Sequence, residues 1–192
     1  MNVAIIGASG YTGLELIKIL INHPKFNIVY IANSSGEMNV QDLHPCLKNV
    51  INMDVSLANA SQVAKVADLA FLALPHKTAM SFAKELLDLG VKVIDLSADY
   101  RLELETYEKH YCEHIDKEHI KDAVYGLPEY FKNDIKTAKL IANPGCYPTA
   151  SLLALLPFID YVDTDAPIFI DAKSGVSGAG KNPSETTHYC QI

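Results

Sequence analysis

Three observations predict an α/β protein built on a Rossmann-type doubly wound parallel sheet, with the start of a second α/β domain behind it. Strand-length apolar runs recur along the 192 residues, helical patterns separate them, and a glycine-rich turn follows the first run directly. The runs are NVAII (2–6), NIVYIA (27–32), LAFLAL (69–74), VKVID (91–95) and AKLIA (138–142). Apart from Asn2, Asn27, Lys92, Asp95 and Lys139 they are apolar, as strands covered on both faces must largely be. Between them, TGLELIKILIN (12–22) and HKTAMSFAKELLDLG (76–90) carry apolar residues at helical spacing, and the second closes on Gly90, a residue suited to a helix stop. Residues 33–54 and 105–136 are less regular and more polar, and the latter reads as an insertion with short helices. Further on, PTASLLALLPFI (148–159) reads as a helix and PIFIDAKSG (167–175) as a strand entering a glycine-rich loop. The division implied is one doubly wound domain over 1–146 and the beginning of a second domain over 147–192. One helix and one strand cannot close a core, so the second domain is expected to be truncated.

Composition narrows the function. A net charge of -7 speaks against nucleic-acid binding, which needs a basic surface to neutralise phosphates. No apolar run approaches the roughly 18 residues of a membrane span. The amino terminus, MNVAIIGASG, enters a strand without the basic region and cleavage site of a signal peptide, so the expected location is the cytoplasm. Cys46, Cys112, Cys146 and Cys190 are scattered without CxxC spacing and read as reduced thiols.

The first functional motif is GASGYTG: Gly7, Ala8, Ser9, Gly10, Tyr11, Thr12 and Gly13 stand between the first strand and the first helix. A tight turn after a strand needs a residue without Cβ, a pyrophosphate needs bare backbone N–H groups, and the helix start adds partial positive charge. These residues are candidate dinucleotide contacts. At the end of the second strand, where an acidic residue would hold a ribose 2′-hydroxyl, the chain has YIANSSGE. Asn33, Ser34 and Ser35 are neutral donors that can face a 2′-phosphate, which favours NADP; Glu37 lies several residues past the expected position.

The second motif is LIANPGCYPTAS (140–151), in which Cys146 follows a Pro-Gly turn at a strand end. A helix expected to start near Pro148 would surround the sulfur with unpaired N–H groups that favour the nucleophilic thiolate. Residues 171–181, DAKSGVSGAGK, form a glycine-rich loop in which Ser177 and Gly178 are further candidate cofactor contacts. The position of Lys181 and the absence of a following Ser or Thr exclude a Walker A loop, and with it ATP hydrolysis. Arg101, the single arginine, is a candidate for binding an anionic substrate group, with a surface salt bridge as the alternative; Asn143 is a second candidate substrate contact. HYCEH (110–114) with His119 lacks a second ligand pair at zinc spacing and reads as a solvated helix face, so no metal is expected. His76, after a strand end, is open to three readings, approach to the cofactor, a helix cap or packing, and His188 has no identifiable partner.

Taken together, GASGYTG, ALPH, DLSADYRL, YGLPE, NPGCYPT and SGVSGAGK resemble, in order and spacing, the N-acetyl-γ-glutamyl-phosphate reductase family of arginine biosynthesis. The resemblance covers the whole chain, and NPGCYPT is its most specific element. It implies an oxidoreductase with an NADP(H)-binding domain over 1–146 and the beginning of a catalytic (dimerisation) domain over 147–192, acting as a homo-oligomer on a small acyl phosphate and releasing phosphate. The residue matching the family nucleophile is Cys146, which would form a thioester that NADPH reduces to the semialdehyde. The family's general acid/base histidine lies beyond the 173–181 loop, and no histidine here matches it. Family chains are longer, so the resemblance implies an amino-terminal part that binds NADPH weakly and does not turn over alone. Related reductases of aspartyl phosphate or of carrier-bound glutamyl or aminoadipyl phosphate share the plan, and a nucleotide-sensing module with an inert cysteine is the non-enzymatic alternative.

Overall fold

Val3 and Ile5 face one side of the first strand, Ala4 and Ile6 the other, and all four are fully buried, so β1 (Asn2–Ile6) lies inside a sheet covered on both faces. The computed structural model describes residues 1–181. After β1 come α1 (Tyr11–Leu20), β2 (Asn27–Asn33), β3 (Met38–Asn39), α2 (Val40–Leu43), β4 (Asp54–Leu57), α3 (Ala60–Val66), β5 (Leu69–Leu72) and α4 (Thr78–Asp88). Then follow β6 (Lys92–Asp95), α5 (Leu104–His110), β7 (Val124–Tyr125), α6 (Pro128–Thr137), β8 (Leu140–Ala142) and α7 (Cys146–Leu155). The chain divides into two compact units, 1–143 and 144–192.

The first unit holds a sheet of order β3-β4-β2-β1-β5-β6-β8-β7, parallel except where β3 meets β4. Without the two-residue strands β3 and β7, the six remaining strands run third, second, first, fourth, fifth, sixth along the sheet. This is the Rossmann order, with its reversal between β1 and β5. The five strands expected from the sequence are all present. β3, β4 and β7 were not expected: in β4, Asp54 and Leu57 are exposed and only Val55 is fully covered, so no apolar run marks it. Helices cover both faces. Ile17 and Leu20 of α1 pack with Val3, Ile5 and Ile31, whereas Val63 of α3 and Met80, Ala83 and Leu86 of α4 pack with Ala4, Ile6 and Ala32. Helix α4 ends as the sequence suggests: Gly90 has φ +83°, and its N–H and that of Val91 reach the carbonyls of Leu87 and Leu86, a Schellman stop.

A buried polar network fixes the start of α4. Asp99 has no solvent exposure and accepts from the backbone N–H groups of Lys77 and Met80, both at 2.9 Å, so it caps a helix that has no local side-chain cap. Its other oxygen accepts from the Tyr107 hydroxyl at 2.7 Å. His114 is fully buried; its Nε2 donates to the Asp99 carbonyl at 2.9 Å, its Nδ1 accepts from the Asp116 N–H, and Tyr100 and Tyr107 meet it edge-on. The solvated face expected for HYCEH therefore holds for His110 but fails for His114, because the tyrosines of DLSADY and α5 enclose its ring. Tyr100 donates to buried Asp116 at 2.8 Å, and burial together with that carboxylate holds its phenol strongly in the protonated form.

In the second unit, α7 opens at Cys146 with Gly145 as N-cap, two residues ahead of the expected start at Pro148, and a 3-10 helix (Leu156–Tyr161) continues it. The strand expected over 167–175 does not form. A strand exists only by pairing, and no strand lies among the described residues of this unit; Phe169 stands 94% exposed. No helix among the described residues is long and apolar enough to cross a membrane. His188 and Cys190 lie outside the described residues.

Asp95, at the end of β6, is fully buried beside this network. Burial raises its carboxyl to about 6; the two Ser97 hydrogen bonds and Arg101 oppose the shift, and Asp99 adds to it. Folded Asp95 thus keeps its proton where the unfolded chain has released it, and the resulting stabilisation is full below about pH 4 and lost as pH rises through about 6. Asp95→Asn has no such dependence. Its stability relative to wild type is expected to rise by up to about 3 kcal/mol between pH 4 and pH 7 in urea unfolding, and parallel pH profiles would overturn this account.

Candidate functional site

The switch point of the sheet carries the glycine loop. Gly7 turns the chain with φ +93°, and a Cβ there would sit 2.2 Å from the Ala73 carbonyl oxygen at the end of β5. The N–H groups of Gly7 and Ala8 both donate to the Ala32 carbonyl of β2, at 2.9 and 3.0 Å, and Ala73 N–H donates to the Ile6 carbonyl at 2.8 Å. The loop is thereby tied to both neighbours of β1. Gly13, in the first turn of α1, would bring a Cβ to 2.6 Å from the Gly7 carbonyl oxygen, so its bareness lets the helix lie against the loop. Gly10 differs: a Cβ there meets nothing within 4 Å. It is the N-cap of α1, with no side-chain cap and no acidic residue in the first turn. Two glycines thus serve internal packing, while the third leaves bare backbone at an uncapped, electropositive helix end. Tyr11 and Thr12 are exposed beside it. The donor set and the open cradle fit a dinucleotide pyrophosphate.

Two side chains from outside the motif hold this loop, and its spacing signals neither. Asn33, at the end of β2, is buried; its amide donates to Ser9 Oγ at 3.1 Å, while its oxygen accepts from the N–H groups of Ser35 and Gly36 at 2.9 and 2.6 Å. The reading of Asn33 as a donor for a 2′-phosphate is therefore corrected: its polar atoms are engaged in shaping the turn. Ser34 and Ser35 are exposed on that turn. His44, between α2 and the 3-10 turn Pro45–Leu47, is also buried and places Nε2 2.6 Å from the Ala8 carbonyl oxygen.

Arg101 is turned towards backbone. Its Nε donates to the Asn143 carbonyl at 2.8 Å and its Nη2 to the Leu96 carbonyl at 2.7 Å, so it ties the segment after β6 to the end of β8. It makes no ion pair among the described residues, and the surface salt bridge considered for it is not formed. Asn143 N–H donates to the Asp95 carbonyl at 2.8 Å, on the same strand ends. His76 is exposed at the loop after β5 and meets Tyr111 edge-on.

In the second unit, Cys146 is exposed and occupies the first position of α7, whose N-cap supplies no side-chain acceptor. It borders a cleft of about 460 Å³ with Ser151, Asp171, Lys173 and Ser174. Thr149 turns its hydroxyl back to the Gly145 carbonyl at 2.8 Å, steadying the turn before the cysteine. Ser177 and Gly178 lie in an exposed 3-10 turn, Val176–Ala179, of this unit.

A Rossmann-ordered sheet with a glycine cradle at its reversal, followed by a separate unit opening on an exposed cysteine, defines a nucleotide-binding domain of dehydrogenase type with an appended thiol segment. The chain belongs to the semialdehyde dehydrogenase family: residues 2–138 match the model described as semialdehyde dehydrogenase, NAD binding domain, and residues 146–192 the one described as semialdehyde dehydrogenase, dimerisation domain. It is 58% identical over 192 residues to a protein of Sulfurovum sp. (strain NBC37-1), covering 100% of this chain and 57% of the relative. It is 44% identical over 190 residues to one of Archaeoglobus fulgidus, covering 98% and 56%. Both relatives are named N-acetyl-gamma-glutamyl-phosphate reductase. The chain thus spans about 57% of the length of the curated relatives it matches. Among solved structures it is similar in fold to the aspartate semialdehyde dehydrogenase of Candida albicans with NADP (TM-score 0.61, 20% identity, 83% of this chain and 47% of that one). A second is aspartate semialdehyde dehydrogenase II of Vibrio cholerae complexed with ASA (TM-score 0.58, 21% identity, 84% and 47%).

The different surroundings of Gly10 and Gly13 separate packing from access. Gly13→Ala pushes a Cβ into backbone and is expected to cost about 1–3 kcal/mol in urea unfolding. Gly10→Ala, at φ −81° and ψ 170° with open space around it, is expected to stay within about 0.5 kcal/mol of wild type. Equal losses at both positions would overturn this division of roles.

Proposed function

We propose that the protein acts in the NADPH-dependent reduction of N-acetyl-L-glutamyl 5-phosphate to N-acetyl-L-glutamate 5-semialdehyde and phosphate, a step of arginine biosynthesis, working in the cytoplasm as a homo-oligomer. The observation that carries the reading is the open Gly10 cradle at the sheet's switch point, and the names of relatives at 58% identity supply the substrate. In this reading Cys146 is the nucleophile. Its thiolate adds to the acyl-phosphate carbonyl, the C–O bond to phosphate breaks, and a thioester forms on sulfur. A dinucleotide held by the 7–13 loop would supply the hydride that reduces this thioester. The resulting thiohemiacetal expels the thiolate as the aldehyde forms, returning Cys146 to its starting state. A thiol suits both halves because it is a good nucleophile and a good leaving group.

The loop residues 7–13 are assigned to the pyrophosphate, Ser34 and Ser35 to a 2′-phosphate, and Ser177 and Gly178 to further cofactor contacts. Support for NADP comes from the exposed serines after β2, with no carboxylate at the end of that strand. Arg101 and Asn143 are assigned to the substrate's anionic groups; two of Arg101's three nitrogens are held by backbone, and Nη1 makes no hydrogen bond among the described residues.

Titrating the 192-residue chain while following nicotinamide fluorescence is expected to show NADPH binding about tenfold tighter than NADH, and tighter NADH binding would refute the role of Ser34 and Ser35. In a chain extended to the relatives' length, Cys146→Ala is expected to abolish phosphate-dependent NADP reduction by the semialdehyde, at least 1,000-fold or about 4 kcal/mol, while NADPH still binds. Retention of most activity would sink the assignment of the nucleophile.

A further inference from the structure

We propose that His44 is a positioning residue for the dinucleotide site: it locks the peptide between Ala8 and Ser9 so that the Ser9 N–H is presented to a pyrophosphate. The inference rests on the dinucleotide reading above. His44 is 5% exposed and lies 2.6 Å from the Ala8 carbonyl oxygen through Nε2. A carbonyl only accepts, so Nε2 carries the proton. A trans peptide is planar and its C=O and N–H point in opposite directions. Holding the Ala8 oxygen towards His44 therefore turns the Ser9 N–H away from it, and that N–H has no hydrogen-bond partner among the described residues. A flip of this peptide would put the carbonyl dipole where the N–H stands, which repels an anion.

The clamp is itself rigid. Asn39 caps α2 by accepting from Gln41 N–H, His44 N–H donates to the Val40 carbonyl at 2.9 Å, and the His44 carbonyl accepts from Leu47 N–H at 2.9 Å. On either flank of this peptide, the N–H of Ala8, part of the preceding peptide, is fixed to the Ala32 carbonyl and the Ser9 hydroxyl accepts from Asn33. Among the described residues, His44 is thus the one side chain that holds the carbonyl end of this peptide, across 36 residues of sequence.

The test is titration of the 192-residue chain with NADPH and NADH, alongside thermal unfolding, for wild type, His44→Phe and His44→Gln. Phe keeps the ring and removes the donor; both dinucleotides are expected to bind about tenfold more weakly, by the same factor, because the pyrophosphate is common to them. Gln restores an N–H donor and is expected to bind within about threefold of wild type. Unchanged affinity in the Phe variant, even with a lowered melting temperature, would overturn the proposal, as would a loss confined to NADPH. If the Phe variant does not fold, Gln decides alone: affinity near wild type supports the clamp and a loss of about tenfold or more overturns it. Failure of the wild-type chain to bind either dinucleotide would overturn the dinucleotide reading itself and this inference with it, whereas normal wild-type binding with an unaffected Phe variant removes only His44.

Discussion

The covering of β1 on both faces and along both edges is the constraint on which the first unit depends. With β2 on one side, β5 on the other and helices above and below, the chain leaving Ile6 must turn within the spacing of its neighbours. Gly7 makes that turn against Ala73, the loop shares the Ala32 carbonyl, and α1 then lies across it at Gly13. Where the sheet order reverses, the loops after β1 and β5 diverge in connection and leave a crevice at the strand ends. The start of α1 opens there without a side-chain cap and without an acidic residue in its first turn. Binding potential at this place is a by-product of the topology, refined by which residues lack a Cβ.

The second feature of the unit is its reliance on buried polar side chains at the other strand ends. Asp99 caps α4 from the segment after β6, Arg101 joins Leu96 to Asn143, and Tyr100, Tyr107, His114 and Asp116 complete a network with every buried side-chain donor and acceptor paired among the described residues. Such a network is costly to disturb, since removing one member leaves its partner desolvated and unpaired. It fixes the positions of Lys77 and the loop after β5, and so one wall of the crevice. Lys77 adopts φ +69°, a conformation that a side chain favours only when held, and Asp99 holds it.

Chemistry in the proposed reaction needs two separable functions, a hydride donor kept in place and a thiol that exchanges acyl groups. The two compact units divide along the same line: the glycine cradle is in one and Cys146 opens the helix of the other. The match of residues 146–192 to a dimerisation domain accords with the exposed apolar side chains of that unit, Phe158, Tyr161 and Phe169 among them. The helix start at Cys146, two residues before the position read from Pro148, brings the sulfur to the first turn, where peptide N–H groups lack intrahelical partners.

The sequence by itself determined five strands of the eight-stranded sheet, the glycine turn, the Gly90 stop and the cysteine after its Pro-Gly corner. Each of these follows from a constraint acting within a few residues: burial on both faces, a backbone angle, or the absence of a Cβ. β4 escaped because a half-exposed strand carries no apolar run, and the strand read over 167–175 failed because pairing is not a local property. Only the tertiary structure decided what Asn33, His44, Arg101 and His114 do. Their partners lie 24, 36, 42 and 15 residues away, at Ser9, Ala8, Asn143 and Asp99. A polar side chain has the same appearance in sequence whether it faces water or a distant carbonyl, and folding alone brings the two groups within hydrogen-bond reach.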